Sequence, residues 1–67
     1  MTTAEMKREL EARYAREYQL IREAQAAHDA GEDTDPIECA ISNNAARIDF
    51  LQARLSQQAN ATAPAGA

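Results

Sequence analysis

The chain has 67 residues and a net charge of −4, from 7 Lys and Arg against 11 Asp and Glu. That length allows one small domain, and the charge disfavours a nucleic-acid backbone or an anionic membrane as the main partner. Ala supplies 16 of the hydrophobic residues, leaving 13 large apolar side chains with no Val and no Trp. Chains shorter than about 70–80 residues usually need a staple or a partner to hold a core, and the single Cys39 cannot close an internal disulfide.

No apolar run approaches the roughly 18 residues of a membrane span. No basic-then-apolar leader marks the chain for export. With the lone cysteine, these features point to the cytoplasm. Six Arg to one Lys among many Ala reads as the codon bias of a GC-rich bacterial or phage genome.

Residues 2–30 predict a first helix. They are rich in Ala, Glu, Arg, Leu and Gln, the strong helix formers, and hold no Gly or Pro. Thr2 followed three residues later by Glu5 has the form of a capping box. Its apolar stripe reads Met6, Leu10, Tyr14, Ile21, Ala24 and His28, interrupted by Glu17 and widened by Tyr18 and Leu20. Gly31 suits the left-handed position that ends a helix. An acidic turn, 31–35, follows.

Asp35-Pro36-Ile37-Glu38 is a second start signal, with Asp35 as cap and Pro36 at the first helical position. The second helix is predicted over 36–59. Its seam is Ile37, Ile41, Asn44, Ile48, Leu51, Leu55 and Gln58, spaced 4, 3, 4, 3, 4, 3 with Asn44 as the polar interior member. An Asn there is expected to cost stability while setting register and subunit number. Residues 60–67, rich in Ala and broken by Pro64 and Gly66, are expected to form a disordered tail.

So short a connection makes the two helices antiparallel. The fold class is all-α, a two-helix hairpin, and the thin seam predicts assembly into a four-helix-bundle homodimer. A second stripe on the second helix, Cys39, Asn43, Ala46, Phe50 and Ala53, repeats at the same spacing. Phe50 lies about 140° around the helix from the seam. A hairpin covers only one of these faces, so this stripe is expected to meet another subunit or a larger protein, with Phe50 as its anchor.

Residues suited to chemistry are few. Glu32, Asp33, Asp35 and Glu38 form an acidic tip whose spacing matches no calcium-binding loop, and they read as a solvated turn plus helix-start acids. His28 in the last turn of the first helix reads as a boundary residue. Cys39 has no His and Asn or Asp partners in a catalytic arrangement. No catalytic residue, metal ligand or cofactor is assigned, because an enclosed pocket of the usual ligand size needs more chain.

Asp35-Pro36-Ile37-Glu38-Cys39-Ala40 resembles the acidic Asp-x-x-Asp-x-Ala coiled-coil tip of bacterial regulators that enter the secondary channel of RNA polymerase. Asp35, Glu38 and Ala40 match it, with Glu in place of the second Asp. A chain with one Cys lacks the zinc finger of those proteins. In layout the hairpin is similar to the plasmid copy-number Rop proteins, which pair into four-helix bundles and bind RNA. It is also similar to the small co-chaperones of type III secretion. The predicted first helix mixes five basic with six acidic residues and offers no basic stripe for RNA. The expected function is therefore a non-enzymatic protein–protein interaction module, with a nucleic-acid or transcription regulator as the alternative.

Overall fold

The computed structural model of the protein describes residues 1–62. Two helices, α1 (Thr3–Asp29) and α2 (Asp35–Thr62), pack against each other as a hairpin with extents of 57 × 18 × 17 Å. Among the described residues no helix is long and apolar enough to cross a membrane.

Both ends of α1 are closed by their own residues. Thr2 Oγ1 accepts from the Glu5 amide at 3.1 Å, and Glu5 Oε1 accepts from the Thr2 amide at 3.0 Å. These reciprocal bonds satisfy two amides that the first turn leaves without helical partners. The Thr2 backbone N–H, followed by the Thr2 side chain, holds the Glu5 carboxyl below its ordinary range.

At the other end Gly31 adopts φ +72°. The Gly31 amide bonds the His28 carbonyl at 3.0 Å, and the Glu32 amide bonds the Ala27 carbonyl at 2.8 Å. That pair of bonds is the Schellman arrangement, which reverses the chain within two residues. An added Cβ at Gly31 would meet no atom within 4 Å, so the requirement for glycine is conformational and not steric.

The start of α2 differs from the sequence expectation by one residue. The Glu38 amide bonds the Thr34 carbonyl at 2.9 Å, so the helix is entered at Thr34 and Asp35 is its first residue. Pro36 becomes the second, where its missing N–H still costs nothing. Asp33 accepts the Asp35 amide on Oδ1 at 3.0 Å, a side-chain turn that leads the chain into the helix. At its far end α2 runs to Thr62, three residues past the expected stop. Asn60, Ala61 and Thr62 carry no helix breaker, and the first Pro stands at 64. The remainder of the expected tail, 63–67, lies outside the described residues.

The seam has an apolar end and a polar middle. Met6, Leu10, Ile48 and Leu51 form a buried cluster beside the chain ends, with Leu55 packed against it. Leu20 and Ala27 are buried nearer the turn. Between these two groups lies Asn44, also buried.

Candidate interaction surfaces

The roll of α1 about its axis decides which side chains are left for function. Its inward line is Met6, Leu10, Arg13, Glu17, Leu20, Ala24 and Ala27, each buried or half-buried. These positions are spaced 4, 3, 4, 3, 4, 3, in step with the α2 seam. Two of the seam residues expected from the sequence are therefore corrected. Tyr14 is 42% exposed and Ile21 is 51% exposed. Each lies one residue, about 100° of rotation, beyond the inward position. His28 is exposed for the same reason. Ile37, Ile41 and Leu55 on α2 are half-buried, while Ile48, Leu51 and Asn44 are buried.

The cause of this roll is the polar layer around Asn44. Its Nδ2 donates to the Arg13 carbonyl at 2.9 Å and to Glu17 Oε2 at 2.8 Å. Its Oδ1 accepts from Arg13 Nη1 at 3.2 Å. A roll that buried Tyr14 and Ile21 would carry Arg13 and Glu17 away and expel Leu20. A buried amide left without partners costs about 1–3 kcal/mol, so the polar phase wins. All three bonds lie within one chain. They satisfy the buried Asn44 amide from α1 of the same chain.

One flank of the hairpin is closed by ion pairs. Glu9 accepts from Arg13 Nε at 3.2 Å, from Arg47 Nε at 2.7 Å and from Arg47 Nη2 at 3.1 Å. The bidentate fork of Arg47 is the largest influence holding the Glu9 carboxyl below its ordinary range, and Arg13 acts in the same direction. Glu9 in turn raises Arg47 above the usual guanidinium value.

The Arg47 guanidinium also lies 5.0 Å from the centroid of the Phe50 ring, and that of Arg54 lies 6.0 Å away. Phe50 is 50% exposed. Cys39, Asn43, Ala46 and Ala53 on the same stripe are exposed as well. The outer face of α2 thus carries one aromatic ring with two guanidinium groups beside it.

The opposite flank is open. Tyr14, Tyr18 and Ile21 project from α1 side by side, and Tyr18 is 71% exposed. Gln52 Nε2 donates to the Tyr14 hydroxyl across the hairpin. Toward the turn, Ile21 and Ile41 border a shallow groove of about 300 Å³ with Ala24, His28 and Glu38.

The acidic tip holds less than its composition suggests. Glu32, Asp33, Asp35 and Glu38 stay exposed at the turn. Asp33 is engaged with the Asp35 amide. Among the described residues no group of three or more His, Cys, Asp or Glu is placed to hold a metal ion.

The residues missed from sequence are Arg13, Glu17 and Ala27. The signal for Arg13 and Glu17 is Asn44, because a polar residue on one seam requires polar partners at the same level of the other. Comparisons with protein families, curated proteins and solved structures find no match.

Proposed function

We propose that this protein is a small non-enzymatic protein–protein interaction module. Two hairpins pair as a four-helix-bundle homodimer, and the dimer offers its outer helix faces to a larger protein. The observation that carries this reading is the balance of large apolar side chains. Five are buried, Met6, Leu10, Leu20, Ile48 and Leu51, while five among the described residues are exposed, Met1, Tyr14, Tyr18, Ile21 and Phe50. A lone hairpin that leaves as many large side chains in water as it buries gains from a second layer of helices.

The Phe50 stripe of α2 suits the larger partner. Aromatic and Arg side chains are enriched at protein interfaces and among their hot spots. A ring flanked by Arg47 and Arg54 would seat in an apolar pocket rimmed by carboxylates. Sedimentation equilibrium at micromolar concentration tests the assembly. The expected species has twice the 7.3 kDa chain mass. A cooperatively folded species of single-chain mass would overturn it.

A further inference from the structure

We infer that the open flank of α1, centred on Tyr18 with Tyr14 and Ile21 on either side, is the surface on which a second copy of this chain docks, α1 against α1 and antiparallel. This rests on the homodimer reading above and names the face and register it uses. Three observations select this occupant. The first is the distribution of exposed apolar area: three of the large exposed side chains stand together on this flank. The other long flank spends its charges on Glu9, Arg13 and Arg47.

The second is size. A hairpin 57 Å long and 18 Å wide presents a projected side of roughly 1,000 Å², against the about 800 Å² per partner that a stable interface of standard size uses.

The third is charge. The flank carries Lys7 and Glu11 on one side of Tyr18 and Arg22, Gln25 and Asp29 on the other. A two-fold axis at Tyr18 sets Tyr14 against the second copy's Arg22, Glu11 opposite the second copy's Gln25, and Lys7 opposite the second copy's Asp29. Parallel pairing would instead place Lys7 beside Lys7 and Glu11 beside Glu11. The same operation at Phe50 would set Arg47 of one copy opposite Ala53 of the other, one residue from that copy's Arg54, so like charges crowd each end of the contact and oppose pairing there.

The test is sedimentation equilibrium on the wild type, Tyr18→Glu and Phe50→Ala, with a single-cysteine cross-link as a second readout. Tyr18→Glu should weaken self-association by about 30-fold or more, the hot-spot threshold expressed as affinity, while Phe50→Ala leaves it unchanged. In a Cys39→Ser background, Tyr18→Cys should oxidise to a covalent dimer and Phe50→Cys should not. This second arm decides the matter even where Tyr18→Glu fails to fold. A monomeric, folded wild type would overturn the homodimer reading and this inference together, leaving the flank to a different protein. A dimeric wild type that resists Tyr18→Glu and cross-links through position 50 would overturn this inference alone.

Discussion

The two long flanks of the hairpin are built from the same two helices and reach opposite ends. On one, Glu9 gathers Arg13 and Arg47, and Arg47 continues onto the Phe50 ring. On the other, Tyr14, Tyr18 and Ile21 face water with one cross-hairpin bond, from Gln52 to Tyr14. The polar layer, together with the apolar residues, distributes the surface. Asn44 requires Arg13 and Glu17 inside, and the rotation that brings them in turns Tyr14 and Ile21 out. A charged residue on the seam of α1 is thus the reason for an apolar strip on its outside.

The most damaging change should be one in the seam that both flanks share. Leu51 is fully buried in the apolar end, and Leu51→Ala is expected to cost about 2–5 kcal/mol. Urea titration followed by circular dichroism measures it. A loss below 1 kcal/mol would mean that the two flanks are not backed by a common core.

Next comes the layer that separates the flanks. Asn44→Leu removes the donor to the half-buried Glu17 carboxylate and leaves Arg13 with its Glu9 pairing alone, so it should destabilise by about 1–3 kcal/mol. Adding Glu17→Leu should recover that loss or exceed it, because a matched apolar pair commonly replaces a buried polar cluster without penalty. Melting curves of the single and double variants test the point. A single variant that melts higher than wild type would show that Asn44 does not dictate the roll of α1.

A smaller effect is expected on the closed flank. Phe50→Ala removes half-exposed contacts with two guanidinium groups and should cost about 0.5–1 kcal/mol. A cost of about 3–5 kcal/mol, typical of a core Phe, would place Phe50 in a packed interior and erase the contrast between the flanks.

The mildest probe is acid. Glu9 has a depressed value when folded, so its pairing contributes fully above its ordinary value near 4.5 and is lost as pH falls through the lower folded value. Glu5 carries the same sign through the capping box. The melting temperature should therefore decline below about pH 4.5. Glu9→Gln should make that decline shallower, leaving the part due to Glu5. An unchanged slope in the variant would mean that Glu9 does not bind its two arginines in solution.

The hairpin was legible in the sequence because its signals are local. Thr2 and Glu5 close the start of α1, Gly31 turns the chain, and the even spacing of Ile and Leu marks the inner side of α2. The phase of α1 was not legible from apolar spacing. Met6 and Leu10 begin the true line, but Arg13 and Glu17 occupy its next two places. A search for apolar residues therefore slips by one to Tyr14 and Ile21. That line is a property of the pair of helices: it follows from what Asn44 bonds, which α1 alone does not reveal. The open flank is hidden by the same slip, since apolar spacing places Tyr14 and Ile21 in the seam and leaves Tyr18 beside it.

Asn44 bonds Arg13 and Glu17 on the inner side of α1, and Tyr14, Tyr18 and Ile21 stay outside. Solution NMR of the Asn44 side-chain amide tests this arrangement most directly. The expected result is slow exchange of the Nδ2 protons with water and cross-peaks to the side chains of Arg13 and Glu17. Fast exchange, with no contact from Asn44 to either residue, would contradict it.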